Sequence, residues 1–351
     1  MSLNNPPLKE RPEIISDWVE LRTLADTNGE FRLSRLMRYW DTQRENEGSD
    51  SEGNQTEEDN TDENGVSGGD ADKFLDAITD ELGERLDHLG ESYPFEFSAD
   101  GNKFQLKSDL AIGQVTYIFC LLFEHHAKGD LWTGHWLPEI NHAVRDLFQA
   151  CSTLAAAGKI QGCAISFGWP RPDNNPPFLV KLKDVYAKFG EGLPRNEPLP
   201  GAAPMVKDEE IDVIAWQPRP DKTPGTFYLL GQVASGDNWF GKTIKGGPID
   251  YFHQTWFSTI PPSAPVPAIF IPHAVPPIGE GNRKERMAVL TARFGIIFDR
   301  MLLPTMTQAG FDLAQEKRNG IYIERVDDTD KVMSWVDAQV AALRNAGGVP
   351  L

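Results

Sequence analysis

The sequence predicts an α/β protein, a mixed sheet flanked by helices and preceded by a helix-rich N-terminal part. Three observations carry this expectation. Apolar residues recur at three- and four-residue spacing through most of the first 158 positions. Beyond them, short apolar runs rich in β-branched and aromatic residues alternate with helical stretches. Finally, the segment 226–272 reads strand, helix, strand, the pattern of a β–α–β crossover.

In chain order, "PEIISDWVELRTLAD" and "FRLSRLMRYWDTQ" are two expected helices within residues 1–44. Residues 45–72 contain eleven acids and no base, no aromatic residue and one β-branched aliphatic. Such a stretch cannot bury enough surface to offset its ordering entropy, and it reads as a disordered acidic insert. It serves as a solvated linker, or as an arm that mimics DNA or docks a partner. Residues 73–158 read as a helix-rich region. "ADKFLDAITDELGERLDHLG" is amphipathic and ends on Gly90. "YPFEFSADGNKFQLK" turns on Asp-Gly as a hairpin. Two helices stopped by glycine follow, the second closing at Gly158.

From 159 to 351 the pattern becomes α/β. "CAISFGWPRP" is strand-like, and "PFLVKLKDVYAKFGEG" is a helix closed by Gly190. "IDVIAW" and "TFYLLGQVA" are strands joined by a Pro/Asp/Gly turn. "PIDYFHQTWFSTI" reads as a helix, "PAIFIPH" as a buried strand, and 283–306 as one long amphipathic helix that contains "GIIFD". "GIYIERV" is an expected edge strand and "TDKVMSWVDAQVAALRNAGG" a C-terminal helix.

The formal charge of −18 opposes a nucleic-acid partner at first sight, yet the insert holds enough of it to leave −7 elsewhere. No apolar run reaches the roughly 18–20 residues of a membrane span, and no secretory h-region is visible at the start. Cys120, Cys151 and Cys163 lack CxxC spacing and read as reduced thiols, so a cytoplasmic protein is expected. Neither GxSxG nor GxGxxG occurs.

The stretch "YLLGQVASGDNWFGKT" offers two readings. Its end matches G-x-x-x-x-G-K-T, the phosphate-cradling P-loop. That loop needs small residues and a helix beginning at the lysine, whereas here Trp239 and Phe240 fill the loop and Gly246, Gly247 and Pro248 interrupt the helix. The hairpin gives the stronger reading. If Trp216 faces Tyr228, the antiparallel register sets Asp212 opposite Gln232. Alternation then puts Asp212, Ile214 and Trp216 on one face with Tyr228, Leu230 and Gln232. A carboxylate beside an amide oxygen at a strand end begins a site for a hard divalent cation.

"KDEEIDVIAW" followed by "YLLGQVASG" resembles the D…(E/Q)xK core of the restriction-endonuclease-like, PD-(D/E)xK superfamily, in its Mrr-like branch with Gln in place of Glu. The resemblance covers roughly residues 140–275. It implies a restriction-endonuclease-like sheet and a Mg²⁺- or Mn²⁺-dependent DNA endonuclease, active in bacterial restriction or anti-phage defence. Asp212 and Gln232 match the family's metal ligands, and Glu191, or else Glu139 or Glu210, stands for its helix acid. The family lysine falls on Ala234, a departure that Lys242 or Lys245, or less directly Lys207, would repair. With no lysine at the metal, the domain is a catalytically inactive DNA-binding or interaction subunit. An ATPase or helicase partner and a homo-oligomer are further implications.

Phosphate contacts are expected from Arg171, Lys181, Lys183, Lys188, Arg195, Arg219, Lys222, Lys242 and Lys245. His125, His126, His135 and His142 crowd one segment without zinc-site spacing. Trp169 and Trp239 are candidates for stacking on a base.

Overall fold

The computed structural model describes residues 5–51, 69–128, 131, 140–172, 174–201, 206–207, 209–278 and 282–347. The chain divides into two compact units. Unit 1 comprises Met1–Asp109, Lys128–Leu137 and Ala338–Leu351, and unit 2 comprises Leu110–Ala127 and Pro138–Asp337.

Unit 1 holds α1 (Pro12–Ala25), β1 (Glu30–Arg32), α2 (Ser34–Ser51), α3 (Gly69–Leu89), β2 (Phe95–Phe97) and β3 (Lys103–Leu106). Proline at the first turn of α1 costs no hydrogen bond there. The three strands form an antiparallel sheet in the order β1-β3-β2, and Gly101, at φ 69°, supplies the left-handed position of the β2–β3 turn. Trp18, Phe31, Tyr93, Phe95 and Phe104 fill the core. Arg85 of α3 is buried and answers two buried acids of α1, Asp17 at 2.6 Å and Glu20 at 2.9 Å. The second expected helix therefore starts later than its sequence pattern, because Phe31 is taken by β1. α2 runs to Ser51 and α3 starts at Gly69, so both ends of the acidic stretch 45–72 are helical, and residues 52–68 lie outside the described residues.

Unit 2 begins with α4 (Ile112–Lys128) and α5 (His142–Ile160), the latter capped by Asn141, whose side chain accepts the Val144 N–H at 3.1 Å. The domain boundary expected after Gly158 thus falls inside a helix. Gly158 is needed for packing and not as a stop. A β-carbon there would lie 2.0 Å from the Met306 carbonyl oxygen.

The chain continues through β4 (Cys163–Ser166), α6 (Phe178–Phe189), β5 (Leu193–Pro194), β6 (Val213–Trp216), β7 (Tyr228–Val233) and α7 (Gly247–Trp256). It then forms β8 (Phe257–Thr259), β9 (Val266–Phe270), α8 (Arg283–Phe294), β10 (Ile296–Phe298), α9 (Leu303–Gln315) and α10 (Thr329–Gly347). The main sheet runs β10-β9-β7-β6-β4, and β5 pairs with β8 apart from it. β7 and β9 are parallel, joined by α7 in the expected crossover.

Alternation divides the sheet faces. Cys163, Ile165, Ile214, Trp216, Tyr228 and Leu230 join Leu182, Val185 and Phe189 of α6 and Phe252 and Trp256 of α7 in one buried cluster. α5 covers the other face and packs along α9. Two expectations fail at the C-terminal side. The helix over 283–306 breaks at Gly295 (φ 81°), where a β-carbon would meet the Pro267 carbonyl oxygen at 2.1 Å, and "IIF" becomes β10. The expected strand "GIYIERV" is reduced to a single bridge, Ala164 to Ile323. Among the described residues no helix is long and apolar enough to cross a membrane.

Candidate functional site

Within the main sheet β6 alone runs antiparallel to its neighbours. The carboxyl ends of β4, β7, β9 and β10 therefore share one edge with the amino end of β6. Ligands of open α/β sheets bind in the crevice outside such an edge. Trp216 pairs with Tyr228 and Val213 with Gly231, the register expected from the sequence. The ladder ends there: the Asp212 N–H bonds the Gly231 carbonyl at 2.8 Å, so Asp212 leaves the expected register at this edge and its carboxylate lies beside Gly168 and the Gln149 amide, while Gln232 stays in β7.

The two side chains differ in how they are satisfied. Asp212 is half-buried, and its Oδ2 accepts the Val233 backbone N–H at 2.7 Å, so the carboxylate is oriented by the end of β7. Gln232 is buried, and its Oε1 has no hydrogen-bond partner among the described residues. A buried acceptor left unsatisfied costs about 1–3 kcal/mol, which a bound cation or donor would recover.

The structure adds residues that the sequence did not single out. Gln149 of α5 donates from Nε2 to Ser166 Oγ at 2.8 Å. A β-carbon on Gly168 would lie 2.5 Å from Asp212 Oδ1 and 2.6 Å from Gln149 Nε2. Glycine at 168 is therefore what lets the Asp212 carboxylate and the Gln149 amide share one small space. The group of α5 that lies beside the Asp212 carboxylate is this neutral amide. Arg145, one turn earlier on α5, donates to Ser235 Oγ just beyond β7 at 2.8 Å. The local signal was the i, i+4 pair Arg145/Gln149 on one helix face, but nothing in the sequence says which strand end that face meets.

Glu191 does not join this site. Its Oε1 accepts the Thr226 N–H at 2.7 Å, before β7 begins. Six residues of extended chain separate Thr226 from Gln232, about 20 Å. There Glu191 adds to the burial that raises the Tyr228 hydroxyl above its usual range. Glu210 is exposed in a turn with φ 66°, and Glu139 lies outside the described residues.

The expected phosphate contacts separate by environment. Lys181 is buried and pairs with buried Glu324 at 2.6 Å, which removes it from any nucleic-acid surface. Arg171 is buried with its guanidinium against Phe167 and Phe178. Lys188 is held by Asp184 at 2.7 Å and by the Tyr322 ring. Lys183 bonds the Asn196 carbonyl, Arg195 the Gln254 carbonyl, and Arg219 pairs with exposed Asp221. Lys245 bonds the Ala292 carbonyl at 2.8 Å. Lys242 is half-buried, following the 3-10 turn Asp237–Gly241. Ala234 is fully buried in an apolar cluster with Ile269 and Phe294, so the family's lysine position offers no charge.

The P-loop pattern fails geometrically, since α7 begins only at Gly247, well past Lys242 and Thr243. A P-loop site also uses an acid at a strand end, and Asp299 follows β10. However, it is fully buried and committed to Arg283 at 2.5 Å and to the N–H groups of Val275 and Met301. His125 is buried, His126 half-buried and His142 exposed at the start of α5, while His135 lies outside the described residues. All three cysteines are free and buried, and burial pushes the Cys151 thiol up to about 12. Trp239 packs on Phe294 and is not open for stacking. No family model, curated protein or solved structure matches this chain.

Proposed function

We propose that unit 2 is a metal-dependent endonuclease that hydrolyses phosphodiester bonds in DNA. One observation carries the reading. Gln232 Oε1, a buried acceptor without a partner among the described residues, belongs to the residue just before Val233, whose N–H holds the Asp212 carboxylate at the edge where the strands end.

The donor set fits a small hard cation: one carboxylate and one amide oxygen, with remaining positions left to water and substrate phosphate. Asp212 and Gln232 would hold Mg²⁺ or Mn²⁺. When bound, such an ion polarises the phosphate and lowers the pKa of its water. The chain's own residues do the rest. The Val233 N–H fixes the Asp212 carboxylate, and Gln149 packs beside it and narrows the access of bulk water. Lys242 is the cation assigned to orient the attacking water, and the outward-facing Lys183, Arg219 and Lys245 contact the DNA backbone. A role in restriction or anti-phage defence, with an ATPase or helicase partner, belongs to this reading.

A second reading has its own observation. Ala234 stands fully buried at the lysine position, and the expected acid Glu191 is bound to the Thr226 N–H away from the strand edge. On this reading the fold binds DNA without cutting it. Supercoiled plasmid incubated with the protein in Mg²⁺ or EDTA separates the two. Nicking in Mg²⁺ that disappears in EDTA and in Asp212→Ala is the expected result. Intact plasmid at high protein concentration, with a retarded band, supports the binding subunit instead.

A further inference from the structure

We infer that the pocket floored by Phe178 and Trp256 receives an unstacked nucleobase of a single-stranded or locally opened DNA strand. This deepens the nuclease reading and rests on its nucleic-acid partner, though not on cleavage.

The pocket measures about 620 Å³, within the range of roughly 300–1,000 Å³ typical of small-molecule sites. Its walls are aromatic rings and prolines, with Trp169 at the mouth, Trp256 and Phe178 inside, and Pro176 and Pro177 at one side. Trp169 is 45 % exposed, unusual for the largest side chain, and the Lys207 Nζ lies 4.5 Å from its ring centroid. The polar groups are donors. They are the Lys207 ammonium, the Arg171 guanidinium and the Asn175 amide, whose oxygen already accepts the Arg171 N–H at 3.0 Å. Trp256 Nε1–H is buried and has no acceptor among the described residues. No carboxylate appears among the described lining residues. Flat rings with donors between them suit a flat, acceptor-bearing ligand attached to an anion. Nucleobases answer to that description, and every base offers a π-face for an aromatic platform.

Position joins the pocket to the candidate site. Trp169 follows Gly168, the residue against which Asp212 and Gln149 close. Lys207, whose ammonium lies over the Trp169 ring, stands five residues before Asp212. A nucleotide whose phosphate reaches Asp212 and Gln232 therefore extends its base toward Trp169. The base exchanges with the Lys207 ammonium on the ring, and the ammonium turns to the neighbouring phosphate. The site would then prefer opened strands over intact duplex, because a paired base cannot leave the stack without unpairing.

The test is fluorescence anisotropy with the full-length protein in EDTA, so that binding is read without cleavage. The probes are a fluorescein-labelled single strand of about 15 nucleotides, the site size of such grooves, and the same strand annealed to its complement. Wild-type protein is expected to bind the single strand more tightly than the duplex. Trp169→Ala should weaken single-strand binding about tenfold, the loss of one base–aromatic stack, while Trp169→Phe keeps most of it. Lys207→Ala should weaken binding and flatten its salt dependence. Trp169 is exposed, so these variants fold, and matched circular dichroism spectra check it. Unchanged affinity in both alanine variants overturns the inference, as does equal binding of strand and duplex or no binding by the wild type. Plasmid cleavage is scored separately. Trp169-dependent strand binding without nicking keeps the pocket and overturns hydrolysis. Nicking with unaltered Trp169→Ala binding does the reverse.

Discussion

Lys181 and Lys183 stand two positions apart on α6, yet their environments oppose each other. Lys183 reaches outward to a backbone carbonyl, whereas Lys181 turns in and neutralises Glu324, whose second oxygen accepts the Ser166 N–H at 3.1 Å. Removing one member of a buried pair strands the other charge at a cost of about 3–5 kcal/mol. Lys181→Met should therefore lower the unfolding free energy read from urea titration by about that amount, with a lower midpoint, while Lys183→Ala stays within about 0.5 kcal/mol. Equal midpoints for the two variants would show that Lys181 is not committed to Glu324. The pair also shows why the candidate site was only partly legible. Parity along two adjacent strands reveals the β6–β7 register as far as Val213 and Gly231, but not that Asp212 leaves it one position later. Glu324 meets Lys181 across 143 positions of sequence, and Gln149 meets Asp212 across 63. No local spacing encodes such meetings, so basic residues were expected on a DNA surface that buries Arg171 and Lys181 instead. Glu191 was misplaced for a related reason, as a turn acid gives no sign of which end of a strand it will cap.

At the scale of elements, α5 and α9 approach until their backbones touch. A β-carbon on Gly310 would lie 2.0 Å from the Leu154 carbonyl oxygen, and Gly158 is equally confined. In an open helix, glycine to alanine stabilises by up to about 1 kcal/mol. Gly310→Ala should reverse that sign, because forced separation of a packed pair costs about 1–3 kcal/mol. Gly83→Ala on α3, with nothing within 4 Å, keeps the ordinary sign. Thermal unfolding of the two variants reads the contrast, a fall for Gly310→Ala and a rise for Gly83→Ala. A rise for both would mean that α5 and α9 are not in contact. Local chemistry fixed most of the elements: the Asp-Gly hairpin of β2 and β3, the Gly190 end of α6, and the β7–α7–β9 crossover. Gly158 was misread as a helix stop because glycine signals both termination and close approach, and only the neighbour distinguishes them. β10 was hidden because three apolar residues after Gly295 continue the spacing of α8, while the left-handed φ that ends the helix is invisible in composition.

For the molecule as a whole, the opposition lies between a chain of charge −18 and a proposed polyanionic substrate. The acids concentrated in residues 45–72 account for part of it, and the proposed cation at the sheet edge would relieve it where the phosphate is to sit. That cation is the central claim. Calorimetric titration of Mn²⁺ into the full-length wild type, Asp212→Ala and Gln232→Ala addresses it directly. The acidic stretch contributes the same diffuse background to all three, and Gln232→Ala changes no charge, so a difference between wild type and Gln232→Ala reports the site itself. The prediction is one resolved site in the wild type, lost in Asp212→Ala and weakened about tenfold or more in Gln232→Ala, as expected when one of a few oxygen ligands is removed. Identical isotherms for the three proteins would contradict it.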